Sequence, residues 1–183
     1  MTAGVVLYVV ARGVTQLDNV IYVVCWGSTT IDAFTADTLR RLPVKCHVKG
    51  MSDPRDIVVC CDDRQLYVAE CDCIWRVTPD DHSHVKWMTS TDSTTDTFHV
   101  YTLSLTSQHL LVTSSRPPTV RQYDTTDKQL LCVVQLPWYV MVLHHAVETT
   151  HGTFVVGHQG TSQDELLQCE VSELLRFCHI LQH

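Results

Sequence analysis

Ile21-Tyr22-Val23-Val24, Leu66-Tyr67-Val68-Ala69, Leu110-Leu111-Val112-Thr113 and Phe154-Val155-Val156-Gly157 are four versions of one short β-prone segment. Their first residues lie 45, 44 and 44 positions apart, so the chain carries a repeat of roughly 44 residues. The flanks repeat with them. Turn-forming stretches precede each segment: Leu17-Asp18-Asn19, Asp62-Asp63-Arg64-Gln65, Ser107-Gln108-His109 and His151-Gly152-Thr153. Asp, Asn, Ser and Gly favour tight turns through side-chain bonding to the backbone or tolerance of positive φ.

Further β-rich runs lie before those turns, at residues 57–60, 100–105 and 140–147. A third strand is expected about ten residues after each anchor, at 31–34, 74–77 and 120–123, and a fourth at 44–48, 85–87 and 130–136. Val, Ile, Thr and Tyr are abundant, which suits a pleated, half-buried surface. Helical periodicity does not persist through the first 160 residues. Four short strands per 44-residue period select an all-β β-propeller of about four four-stranded antiparallel blades over a sandwich. The blades are expected at residues 1–50, 51–95, 96–138 and 139–183, with Ile21, Leu66, Leu110 and Phe154 at equivalent second-strand positions and their side chains between blades.

The C-terminal segment supports two readings. Leu174-Leu175 falls 44 residues after Leu130-Leu131, where the repeat expects a strand. Ser162-Gln163-Asp164-Glu165 also matches a helix capping box, with Leu167, Val171, Leu174, Cys178 and Leu181 at helical spacing.

The stretch 53–79, with Leu66 through Glu70 and Ile74 through Val77, resembles an NHL-type blade, and the stretch 120–137 resembles the related YVTN type. The Gly-His and Trp-Asp dipeptides of WD-repeat blades are missing in register. The resemblance implies a non-enzymatic binding platform. NHL-type rings usually close with six blades, so about four leaves three readings, a compact four-bladed ring, a truncated six-bladed one (the favoured reading) or half of a dimeric ring; in an incomplete ring the open blade edges expose backbone N–H and C=O groups and invite self-association.

The chain has 183 residues, 45% hydrophobic and 18% charged, which fits a globular domain. Thirteen basic residues against twenty acidic ones give a formal charge of −7, a poor match for a phosphate backbone, so a protein partner is expected and nucleic acid is not. The apolar run at residues 5–10 is too short for a membrane span and has no basic region before it. The single asparagine, Asn19, is followed by Val20 and Ile21 and is no glycosylation acceptor. Nine cysteines at irregular spacing suggest reduced thiols and a cytoplasmic protein.

Candidate chemistry is sparse. Cys60, Cys61, Cys71, Cys73, His82 and His84 form the densest ligand-type group, but neither cysteine pair has zinc-finger spacing, so no metal and no cofactor are expected. His144, His145, His151 and His158 gather late in the chain; neighbours on one strand point to opposite faces, so His144 and His145 are expected to diverge. Asp62-Asp63 and Asp80-Asp81 are candidate channel carboxylates of a propeller enzyme but lie in expected turns, and no nucleophile elbow, phosphate loop or metalloprotease helix occurs. Trp75 and Trp87 lie in strand patterns. One set of loops, joining second to third strands and each fourth strand to the next blade, holds Trp26, Ser28, Asp53, Arg55, Asp72, Arg116, Trp138 and Tyr139. Arg and aromatic residues together are what binding hot spots favour, so these eight are the expected interface.

Overall fold

A computed structural model describes residues 10–43, 46–90, 99–106, 109–137, 139–140, 142–149, 152–159, 164–170 and 178–181. Among the described residues, sixteen strands form four antiparallel sheets, each a meander in chain order. Blade 1 holds β1 (Ala11–Leu17), β2 (Val20–Cys25), β3 (Thr30–Thr35) and β4 (Cys46–His47). Blade 2 holds β5 (Asp56–Cys60), β6 (Gln65–Ala69), β7 (Cys73–Val77) and β8 (His84–Thr89). Blade 3 holds β9 (Val100–Leu105), β10 (His109–Ser115), β11 (Pro118–Asp124) and β12 (Leu130–Gln135). Blade 4 holds β13 (Val142–Glu148), β14 (Thr153–Gln159), β15 (Asp164–Glu170) and β16 (Cys178–Leu181).

The turns repeat as closely as the strands. Between third and fourth strands, the Thr35, Thr78 and Asp124 amides donate to the carbonyls of Arg40, Ser83 and Gln129, at 3.0, 2.8 and 2.9 Å. Leu39, His82 and Lys128 take positive φ at matching places in those turns. Three non-glycine residues accept this conformation because the closing bond of each turn requires it.

First strands pack on first strands, β1 on β5, β5 on β9 and β9 on β13, which places them around a common axis. Three buried clusters fill the layers between successive blades. Val24, Ile31, Leu66 and Trp75 lie between blades 1 and 2. Tyr67, Trp87, Leu110 and Tyr123 lie between blades 2 and 3, their rings edge to face at 5.4 Å (Tyr67–Trp87) and 6.1 Å (Trp87–Tyr123). Leu111, Val134, Leu143 and Phe154 lie between blades 3 and 4. Leu66, Leu110 and Phe154 therefore each face the preceding blade.

Ile21 departs from the expectation. It shares their register, so it faces away from blade 2, where no described blade covers it, and it is only half-buried. Val14, Val23 and Phe34 share that face, with Val14 64% exposed. At the other end Val147 pairs with Val155 and is 53% exposed. Among the described residues β13 does not pack back onto β1 as the other first strands pack together. As far as the described residues go, the four blades form an open arc, with a sheet face at each end that no described residue is seen to cover.

The C-terminal ambiguity resolves as strand. β15 pairs with β14 from Thr153↔Glu170 to Gln159↔Asp164, and its backbone bonds go to that partner, so the capping-box reading fails there. Residues 171–177 lie outside the described part. No helix among the described residues is long and apolar enough to cross a membrane.

Candidate functional site

Each first strand begins at the same end of its sheet, and the loops between second and third strands emerge there too. Arg12 of β1, Asp53 and Arg55 just before β5, Tyr101 and Thr102 of β9, and His144 and His145 of β13 line one axial cavity of about 420 Å³. The repeat explains the convergence: positions about 44 apart fall at equivalent points of successive inner strands.

Two cations in this cavity are held by aromatic faces. The Arg12 guanidinium lies 5.9 Å from the Trp26 ring centre, and that of Arg55 lies 5.8 Å from Tyr101. A ring face attracts a guanidinium without consuming its N–H donors. Trp26 is 61% exposed, in the β2–β3 loop, and its amide donates to the Val10 carbonyl beside Arg12.

Below the mouth, two carboxylates hold the blades together. Asp56 is buried; its Oδ1 accepts from the Ile57 amide and its Oδ2 from the Leu103 amide of the next inner strand, both at 2.9 Å. Burial raises its pKa, against the lowering effect of the Leu103 bond, of nearby His145 and of the Ile57 bond. Glu70, between β6 and β7, is a larger hub. Its Oε1 accepts from the Ser52 amide (2.6 Å), the Ser52 hydroxyl (3.3 Å) and the Asp53 amide (2.8 Å). Its Oε2 accepts from Trp75 Nε1 (2.6 Å) and Cys73 Sγ (3.4 Å). Burial pushes the Glu70 carboxyl up, but the bonds from Trp75, Ser52, Asp53 and Cys73 outweigh it and leave the pKa below the usual value. This hub fixes the loop that delivers Asp53 and Arg55 to the cavity.

Of the eight expected interface residues, the seven described ones share an end of the fold but not a role. Trp26 stands out from its loop, Asp53 and Arg55 line the cavity, and Asp72 and Arg116 are exposed at the β6–β7 and β10–β11 turns. Ser28 turns inward: its hydroxyl lies 3.1 Å from the Thr30 hydroxyl and 3.0 Å from the Thr30 carbonyl, and so shapes the loop. Tyr139 packs against the cluster between blades 3 and 4. Trp138 lies outside the described residues.

Arg12, Tyr101, His144 and His145 were missing from that set. Steps of 44 residues from Arg55 reach Ala11, His99 and Leu143, one or two residues short of these, so the repeat pointed to the neighbourhood and not to the residues. The two histidines were expected to diverge, yet both are exposed and both line the cavity, because the β13–β14 register shifts between Leu143 and His145. A bulge breaks the strict alternation of side chains and re-aims one of them.

The cysteine–histidine group is split between the two ends of blade 2. Cys61, His82 and His84 lie in or beside the turns at the end away from the cavity, whereas Cys71 and Cys73 flank the β6–β7 turn at the cavity end. Cys71 Sγ is 3.0 Å from His99 Nδ1. Donor atoms of Glu70, Asp72 and Cys73 come within 4.8 Å of one another. The Cys73 thiol, however, is pushed up to about 12, by burial first and then by the Glu70 charge, which suits a protonated donor to Glu70 over a thiolate ligand.

No family model matches the chain, and no curated protein matches it in sequence. Its fold is similar to that of several solved structures. Against Kuenenia stuttgartiensis hydrazine synthase the TM-score is 0.73 at 14% identity, over 93% of this chain and 53% of that one. The Cps50 (Swd1) β-propeller domain of Myceliophteria thermophila gives 0.68 at 11% identity, over 94% and 58%. A chain of the mitotic checkpoint complex gives 0.68 at 10%, over 92% and 50%. The chain spans about half the length of these structures. The likeness shows the propeller fold; it does not single out the NHL or YVTN type.

Proposed function

We propose that this chain is a non-enzymatic interaction module, a run of NHL-like blades with boundaries near residues 50, 95 and 138, that binds a protein partner through the loop face around the axial cavity. The observation that carries this reading is Trp26, a large aromatic side chain 61% exposed and stacked on Arg12 at the cavity mouth. Arg and Trp are the residues on which interface energy concentrates. Arg55, Asp53, Asp72 and Arg116 extend the same face around it, and Ser28 and Tyr139 shape its loops. The reduced cysteines of the sequence suit a cytoplasmic setting.

An enzyme built on channel carboxylates is less well supported. Asp62, Asp63, Asp80 and Asp81 lie at the opposite end, in turns, and both oxygens of Asp56, the buried axial carboxylate among the described residues, are engaged by backbone amides.

Affinity capture from a native lysate, quantified by mass spectrometry, tests the proposal with three baits: wild type, Trp26→Ala, and Lys128→Ala in a turn at the opposite end. Partners held by wild type and Lys128→Ala but lost by Trp26→Ala are the expected outcome. Equal capture by all three baits overturns it.

A further inference from the structure

We propose that the axial cavity is a carboxylate-binding site, filled by a glutamate or aspartate side chain from an acidic segment of the partner protein. This rests on the loop-face reading above and adds the chemistry that the partner must present.

Charge is the first argument. The chain as a whole is strongly acidic, at −7. Yet Arg12 and Arg55 reach one cavity beside His144 and His145, with the Asp53 carboxylate also in its lining. The carboxylate of Asp56, beneath, is turned to the Ile57 and Leu103 amides. Two guanidiniums have been gathered at one point of an otherwise negative molecule.

The second argument is how the arginines are held. Among the described residues, no carboxylate lies within ion-pair distance of Arg12 or Arg55, whereas Arg41 and Arg64 have Asp32 and Asp18 at 2.6 Å. Trp26 and Tyr101 hold the two cavity guanidiniums by their ring faces. Each planar fork is thus oriented while its N–H donors stay available, the arrangement that suits bidentate recognition of a carboxylate. The cavity volume, about 420 Å³, admits side chains and not a folded element. A nucleic-acid backbone fits worse, because its continuous charge would run over the acidic remainder of the surface.

Fluorescence anisotropy of fluorescein-labelled hexaglutamate tests the site directly, on the full chain at low ionic strength. Hexaglutamine and hexalysine serve as probes of the same length. Wild type is expected to bind hexaglutamate and neither other peptide. Arg12→Ala and Arg55→Ala should each weaken binding about ten-fold, the scale of one charge-assisted pair. Arg55→Lys keeps the charge, loses the fork, and should fall between wild type and Arg55→Ala. Arg40→Ala, in an exposed turn at the far end, should change nothing. Thermal melts of all variants within a few degrees of wild type keep a binding loss from being a folding loss.

Absence of hexaglutamate binding overturns the inference, as does binding that ignores Arg12→Ala and Arg55→Ala or responds equally to Arg40→Ala. If hexaglutamate fails while Trp26→Ala still abolishes partner capture, the carboxylate site falls and the loop-face reading stands. If hexaglutamate binds as described while Trp26→Ala leaves capture unchanged, the cavity is a carboxylate site and the loop face is not the protein interface.

Discussion

Replacing Glu70 with alanine should be among the most damaging single changes in the chain, although it removes no apolar core. The side chain is 5% exposed and its two oxygens accept from Trp75 Nε1, the Ser52 and Asp53 amides, the Ser52 hydroxyl and the Cys73 thiol. An unpaired buried donor costs about 1–3 kcal/mol, and Trp75 Nε1 would be one. The two amides lie nearer solvent and recover part of their loss by bonding water, so they add about 1 kcal/mol each. The sum is roughly 3–5 kcal/mol, which for a chain of this size lowers the melting temperature by roughly 10 °C. Urea unfolding followed by tryptophan fluorescence measures it, with Trp75 reporting from the site. Glu70→Gln keeps one acceptor oxygen and should cost less. The wild-type advantage over Glu70→Gln should also depend on pH. The folded carboxyl titrates below its usual value of 4.5, so its stabilisation is fully present above that pH and is lost as pH falls through the folded pKa. A Glu70→Ala protein within about 0.5 kcal/mol of wild type, the range of ordinary surface changes, would refute the reasoning.

Asp56→Asn should destabilise by about 1–3 kcal/mol in urea unfolding, because an amide nitrogen must then face either the Ile57 or the Leu103 N–H. Gly13→Ala should loosen blade 1 against blade 2 at a cost of about 1–3 kcal/mol. An added Cβ would lie 2.7 Å from the Ile57 nitrogen and 2.9 Å from the Asp56 Cα, both backbone atoms, so hydrogen exchange should rise first in β1 and β5.

The architecture was legible because a propeller repeats its local instructions. One β-prone tetrapeptide recurring at 44-residue spacing located every second strand, and the turn residues located the ends of its neighbours. Other features depend on geometry between blades, for which sequence spacing has no signal. Gly13 reads as an ordinary strand glycine until β5 is seen to run against it. Glu70 reads as the last residue of a strand motif, and its five donors come from residues 52 to 75 only when the β4–β5 connection folds over it. The cavity was half legible. Arg55 and Asp53 were found as loop residues, whereas His144 and His145 were misassigned because a bulge, invisible in the local pattern, breaks the alternation between them. Ile21 was placed correctly in the repeat but not in burial, since burial depends on a neighbour that no described blade provides.

That face, which no described blade covers, bears on the central claim, that the four described blades form an arc and not a closed ring. Val14, Ile21, Val23 and Phe34 at one end, and Val155 at the other, occupy positions that other blades bury. Several hundred square ångströms of open apolar surface at about 25 cal/mol per Å² forfeit on the order of 10 kcal/mol, comparable to the whole stability of an ordinary domain. Covering it with blades of a second molecule recovers that energy. Size-exclusion chromatography with light scattering on the purified chain measures the outcome. The account predicts dimers or larger assemblies, with masses above 20.7 kDa that rise with concentration. A sharp monomer of 20.7 kDa that melts cooperatively at all concentrations would contradict it.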